Sequence, residues 1–123
     1  MKDFAEKAAE YFFRVEQHIF GGNDIRADIW MDRDEKQEAI KQLDRARTNA
    51  HNELIRSYCQ NFDYSGISNR TQLADRVAVM VLTGLGKTVD VVVTEGAVRD
   101  ELAEMLHKRE ITTDDIVRVL SEV

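Results

Sequence analysis

The stretch from Arg33 to Gln60 decides the fold class, and it reads RDEKQEAIKQLDRARTNAHNELIRSYCQ. It contains neither glycine nor proline, and most of its residues are strong helix formers. Apolar side chains recur in it at helical spacing, at Ile40, Leu43, Ala50, Leu54 and Tyr58. Asp32 stands directly before it as an N-cap, with Glu35 in the capping-box position. We therefore predict one long helix of about 40 Å, at a rise of about 1.5 Å per residue.

A second helix is predicted before this stretch, over residues 3–20. Its apolar side chains form two neighbouring stripes, and so broad a face packs against more than one neighbour. Gly21 and Gly22 follow, and glycine readily adopts the left-handed conformation found where helices end. We therefore expect this helix to stop at the two glycines, with a connector over residues 23–31 that holds one helical turn at most.

Three further helices are predicted after the long one. The first is capped by Asn69 and is apolar nearly all round between Leu73 and Leu82, which indicates a central position. The other two cover Val98–Leu106 and the residues after Thr112, another N-cap. The sequence thus predicts an all-α fold of about five helices in one bundle, as a single domain over residues 1–123.

One segment admits a second interpretation, as a β-hairpin over residues 77–94. Val77–Thr83 and Thr88–Thr94 are both rich in β-branched residues, and the glycine-containing loop between them has four residues. An isolated two-stranded hairpin is only marginally stable, and no other strand is predicted to pair with it. We favour helix over Val77–Thr83 and keep an α+β fold with a hairpin as the alternative.

Composition restricts the class of protein. The chain has 123 residues, of which 43% are hydrophobic and 33% charged, and this globular balance excludes disorder of the whole chain. The single cysteine, Cys59, excludes a disulfide scaffold and favours the reducing cytoplasm. The start of the chain lacks the pattern of a secretory signal, and no apolar stretch is long enough to cross a membrane.

Charge and motifs argue against two classes of ligand. The net charge of −6 opposes binding to nucleic acid. Gly86-Lys87-Thr88 has the tail of a phosphate-binding P-loop, but the first glycine of that motif is replaced by Val81. No cofactor is therefore predicted.

The aromatic residues point to a contact surface. Five of the nine lie within the first twenty residues, and aromatic side chains dominate protein interfaces. Phe12, Phe13, Phe20 and Trp30 are the predicted interface residues. Since no complete catalytic set is found, we expect a non-enzymatic cytoplasmic module that binds proteins and associates with itself.

Arg47 is a candidate buried charge. It falls on the apolar seam of the long helix, where a charged group needs a partner or a route to solvent. The favoured interpretation is that its long stem carries the guanidinium past small neighbours into water. The alternatives are a salt bridge to another helix or one wall of an anion pocket.

A metal site is the alternative function. Glu35-Lys-Gln-Glu38 resembles the first half of the Glu-x-x-Glu…Glu-x-x-Asp pattern of all-α nucleotide pyrophosphohydrolases, which implies magnesium held against a pyrophosphate. The second half departs from it, because Glu53 is followed by Arg56 at the place of the aspartate. Glu35, Glu38 and Glu53 are thus the candidate metal ligands, and the alternative function is a small metal-dependent nucleotide-processing or ligand-binding helical bundle.

Overall fold

A computed structural model describes residues 1–89 and 95–123, and all regular structure in those two ranges is helical. The elements are α1 (Lys2–Glu16), a π-helical turn (Gln17–Gly21), α2 (Gly22–Ala27), α3 (Arg33–Asn61), α4 (Arg70–Gly84), α5 (Ala97–His107) and α6 (Thr113–Ser121). Since α1, the π turn and α2 are continuous, the described residues form five helical rods. The predicted all-α class and helix count are confirmed.

The hairpin alternative is wrong. Residues 77–84 belong to α4, so the strand expected over Val77–Thr83 does not form. The second half of that hairpin falls partly on residues 90–94, which lie outside the described ranges. Among the described residues, no helix has both the length and the apolar character needed to cross a membrane.

The first helix does not end where the sequence predicts. Gly21 and Gly22 both have right-handed helical backbone, with φ of −64° and −61°, and the chain continues into α2. Glycine permits a left-handed end but does not enforce it. The π turn before Gly22 is a local widening of the helix, a feature that often occurs at functional sites.

The long helix and its predicted start are confirmed. α3 runs over Arg33–Asn61, about 43 Å at about 1.5 Å per residue. Asp32 caps it, since its Oδ1 accepts a hydrogen bond from the Glu35 backbone N–H at 2.8 Å. Asn69 and Thr112 cap α4 and α6 in the same way, as predicted.

The central helix is α1 rather than α4. α1 packs against α3, α5 and α6, whereas α4 contacts α3, α5 and α6 from the other side of the bundle. The buried face of α1 consists of Phe4, Ala5, Ala8, Ala9, Tyr11, Phe12 and Val15. The expectation that Leu73–Leu82 is surrounded on all sides is therefore corrected, because Val79 and Met80 within it are only half-buried. The broad apolar face of α1 explains its position, since three helices pack on this one element.

Candidate functional site

The first half of α3 extends beyond the core. Its buried residues all lie in the second half, at Ala50, His51, Leu54, Ser57 and Tyr58. The first half packs instead on the π turn and α2, with apolar side chains such as Ile40 and Leu43 only half-buried. We call residues 22–49 the arm and residues 28–32, where α2 turns into α3, its tip.

The tip exposes two large apolar side chains. Ile29 is 83% exposed and Trp30 is 89% exposed, more than any other large hydrophobic residue among the described ranges. Large apolar side chains are usually at least partly buried, so a tryptophan with this exposure is unusual. The tip is therefore the strongest candidate contact surface.

Local hydrogen bonds hold the tip in one conformation. The Trp30 backbone N–H donates to Asp28 Oδ1 at 2.8 Å, and Asp32 caps the helix that follows. Lys36 Nζ donates to the Arg26 carbonyl oxygen at 3.0 Å and so ties α3 back to α2. A side chain presented on an ordered turn loses less conformational entropy on binding than one on a flexible loop.

The other predicted interface aromatics are placed differently. Phe12 is fully buried in the core, so it is not accessible to a partner while the fold is intact. Phe13 is 37% exposed and lies beside α6, in a groove that Thr113 and Val117 also line. Its ring centroid is 5.5 Å from the Arg14 guanidinium. Phe20 is half-buried and stacks on His107, with 3.8 Å between ring centroids and 3° between planes. The four aromatics therefore do not form one surface, and only Trp30 is fully presented to a partner.

A cleft of about 260 Å³ lies between the second half of α3 and the start of α4. Its lining is mostly apolar and comprises Asn52, Ile55, Cys59, Tyr64, Ile67, Ser68, Asn69, Arg70 and Leu73. Arg70 is the only charged residue among them, and its Nη1 donates to Asn52 Oδ1 at 2.9 Å. Tyr64, at the rim, is 61% exposed. Sequence reasoning missed this cleft, because its walls come from three segments that no single periodicity connects.

Arg47 is partly buried and pairs within its own helix. Its side chain is 25% exposed, and Nη2 donates to Asp44 Oδ1 at 2.8 Å. The salt bridge to another helix is not formed among the described residues. Arg47 Nε is buried and lacks a hydrogen-bond partner in the same part of the chain. The Arg47 guanidinium therefore reaches solvent only in part, although full exposure was expected.

The three candidate metal ligands do not converge. Glu35 and Glu38 are exposed near the start of α3, whereas Glu53 lies 18 residues after Glu35 on the same helix, about 27 Å away. Glu53 is held by cations, with Lys7 Nζ at 3.7 Å and Arg56 Nη1 at 2.9 Å. Within residues 1–89 and 95–123, no cluster of three metal-binding side chains is present.

Comparison of the chain with protein-family models, curated proteins and solved structures gives no significant match.

Proposed function

We propose that the protein is a non-enzymatic assembly module in which the tip of one copy inserts into the α3–α4 cleft of a second copy. The observation that carries the proposal is the 89% exposure of Trp30 on an ordered turn. Tryptophan is enriched among the residues that contribute most to protein interfaces, where it fills a well-packed pocket of the partner.

Chemical complementarity supports the cleft as the receptor. The tip and the residues around it, over 24–38, carry six acidic and three basic side chains. Two tips would therefore repel each other, whereas the cleft offers an apolar lining with one guanidinium, that of Arg70. In the proposed contact, the Trp30 ring packs against Ile55 and the Arg70 guanidinium, which favours an aromatic face. In the same contact, the carboxylates of Asp28 and Asp32, on either side of Trp30, pair with the Arg70 guanidinium.

The geometry of the contact predicts its symmetry. Tip and cleft are different surfaces, so one contact between two copies is heterologous. If each of two copies inserts its tip into the cleft of the other, the two equivalent contacts form a dimer with twofold symmetry. If each copy instead inserts its tip into the cleft of a third copy, the copies form a head-to-tail assembly. We further propose a cytoplasmic location, since a single cysteine, Cys59, is typical of proteins from reducing compartments.

Intrinsic fluorescence tests the proposal without any variant. Trp30 is the only tryptophan, so the emission reports on the tip alone. We expect the emission to shift to shorter wavelength as the protein concentration rises, in step with the mass measured by analytical ultracentrifugation. A chain that stays monomeric at its highest soluble concentration would overturn self-association.

Paired variants test which surfaces meet. Trp30→Ala removes the tip anchor, and Arg70→Glu reverses the charge of the cleft at a helix start where an acid is tolerated. Each variant alone should be monomeric, but an equimolar mixture should form a heterodimer, because one intact tip meets one intact cleft. The controls are Phe13→Ala, an exposed aromatic on α1, and Arg76→Glu, on α4 like Arg70 but outside the lining of the cleft. If the controls dissociate as the test variants do, or the mixture stays monomeric, the assigned surfaces are wrong.

A further inference from the structure

A second surface, separate from both the tip and the cleft, lies between α1 and α6. These two helices pack against each other, and a groove of about 300 Å³ opens along their outer side. Thr113 and Val117, one turn apart, form its α6 wall. The α1 wall has four residues that share one face of that helix, Glu6, Ala9, Glu10 and Phe13. Two helices therefore present a shallow channel about two helical turns long.

The base of this groove is apolar and remains accessible. Phe13 is 37% exposed, although its neighbour Phe12 is fully buried. Ala9 is almost buried and Val117 is half-buried, so small and branched apolar groups lie beside the exposed ring. An apolar channel between two helices is the kind of surface that receives the apolar face of a third helix.

Two carboxylates give the groove a negative charge. Glu6 and Glu10 are the only charged residues among the described residues that line it, and their side chains are 55% and 51% exposed. Lys2 Nζ lies 4.0 Å from Glu6 Oε1, and Arg14 donates to Glu10 Oε1 at 2.7 Å from the side of a neighbouring groove between α1 and α3. Neither Oε2 atom has a partner within the described part of the chain. Both carboxylates can therefore accept from a further cation.

The same charges argue against a second copy of the chain as the occupant. Two such grooves placed face to face would bring four carboxylates together. The tip is no better suited, because residues 24–38 carry six acidic and three basic side chains. The net charge of −6 adds to the repulsion between copies. The groove is instead complementary to a partner that carries both apolar and basic side chains.

We infer that the groove between α1 and α6 binds a basic amphipathic helix of another protein. The apolar face of that helix packs on Phe13 and Val117. Its lysine or arginine side chains, four residues apart, pair with Glu6 and Glu10, which have the same spacing on α1. The apolar contact supplies most of the affinity, whereas the ion pairs select the charge and orientation of the partner. This surface leaves the tip and the cleft free, so it would recruit a second protein without competing with self-association.

Fluorescence anisotropy with labelled synthetic peptides tests the inference at protein concentrations where the chain is monomeric. The first peptide is a leucine–lysine helix of about four turns, with one apolar and one basic face. The second has the same composition in scrambled order, so that it has no apolar face, and the third has glutamate in place of lysine. We expect the first peptide to bind, the second to bind at least about tenfold more weakly and the third not to bind. Equal binding of the first two would show that net charge alone attracts them and would overturn the inference.

The aromatic contact is tested by Phe13→Ala, which should weaken binding of the first peptide by about tenfold. Trp30→Ala is the matched control, since it removes another exposed aromatic, at the tip, and should leave the affinity unchanged. Equal losses for the two variants would contradict the groove as the binding surface.

The charge contact is tested by the double variant Glu6→Gln with Glu10→Gln, which should weaken binding by about fivefold. Glu38→Gln with Glu101→Gln is the control, because these exposed acids give the same change in net charge outside the groove. Glu6 and Glu10 are exposed, so this variant keeps the core intact and tests the groove even if Phe13→Ala disturbs the fold. Equal losses for the two double variants would assign the binding to the overall charge of the protein.

Analytical ultracentrifugation separates a foreign helix from a second copy as the occupant. Phe13→Ala should leave the mass of the self-associated protein unchanged at high concentration. A lower mass for this variant would place a second copy in the groove and overturn the inference.

Discussion

Gly84 of α4 lies so close to Val119 of α6 that a methyl group on Gly84 would overlap with the Val119 Cγ1 atom. Gly84 has the backbone of an ordinary helical residue and is the last residue of α4. Its role is therefore close approach between two helices rather than an unusual conformation. Val119 is 7% exposed and has little room to move away.

Gly84→Ala should destabilise the fold, although alanine is the better helix former. The gain in helix propensity is at most about 1 kcal/mol, whereas overpacking costs typically about 1–3 kcal/mol. We expect a net loss of about 1 kcal/mol in the free energy of unfolding, measured by urea denaturation. Adding Val119→Ala should remove the overlap, so the double variant should lose less than the sum of the single losses. A stabilised Gly84→Ala variant would contradict the close contact.

Stability should fall as the solution becomes acidic, because of His51. Its Nε2–H donates to the Arg70 carbonyl oxygen at 3.0 Å, and burial lowers its pKa below the ordinary value of 6.5. The unfolded chain therefore takes up a proton first as the pH falls through 6.5. Stability is complete above that pH and decreases below it, by up to about 1.4 kcal/mol per pH unit for one such group. Urea denaturation between pH 7.5 and 5.5 measures the slope.

His51→Gln provides the control for the pH dependence. Glutamine keeps an N–H donor for the Arg70 carbonyl oxygen but does not titrate. The slope should decrease in this variant and decrease further when His18→Gln is added, because burial lowers the pKa of that histidine as well. An unchanged slope in both variants would assign the acid sensitivity to other groups.

Replacement of Phe12 and of Trp30, both predicted interface residues, should have different effects on the free energy of unfolding. Phe12→Ala creates a cavity at a fully buried position and should cost about 3–5 kcal/mol. Trp30→Ala removes a side chain that is 89% exposed and should change the stability of the monomer by less than about 0.5 kcal/mol. Thermal unfolding at low protein concentration measures both. A large loss for Trp30→Ala would indicate that the tip packs against the chain's own core.

Thr112 should contribute about 1 kcal/mol through its cap. The Asp115 backbone N–H donates to Thr112 Oγ1 at 3.2 Å, and the Thr112 backbone N–H donates to Asp115 Oδ2 at 2.9 Å. Thr112→Ala breaks one half of this capping box, for which the usual loss is about 0.5–2 kcal/mol. Thr113→Ala, at the first position of α6, is the control and should lose less. Equal losses for the two variants would show that the capping hydrogen bond is not the cause.

Local chemistry accounts for the parts of the fold that were predicted. The length of α3 follows from an uninterrupted run of helix formers, and its start follows from the cap at Asp32. Asn69 and Thr112 act over three residues in the same way. These features depend on residues close together in the sequence, so they can be predicted from it. The end of the first helix was mispredicted, because the helical backbone continues through Gly21 and Gly22 into α2, which contacts the distant α3.

The candidate sites could be predicted from the sequence only in part. Trp30 was predicted as a contact residue, and its exposure is consistent with that role, but Phe12 belongs to the core. Phe12 lies on an amphipathic helix, and periodicity does not distinguish a face covered by its own bundle from one left open. Trp30 lies in a turn, where no periodicity applies. The seam position of Arg47 was recognised, whereas its proximity to Tyr11 of α1 was not, because the two residues lie on different helices.

The sequence by itself determined the fold class, most of the helix positions and the caps of α3, α4 and α6, since all of these arise from interactions within a few residues. Only the tertiary structure decided which helix is central, which aromatics are covered and why Gly84 is glycine. It also brought Phe13 of α1 and Val117 of α6 into one groove. The physical reason is that packing depends on contacts between residues distant in the chain. A local sequence pattern shows that a helix has an apolar face, but not which other helix covers that face.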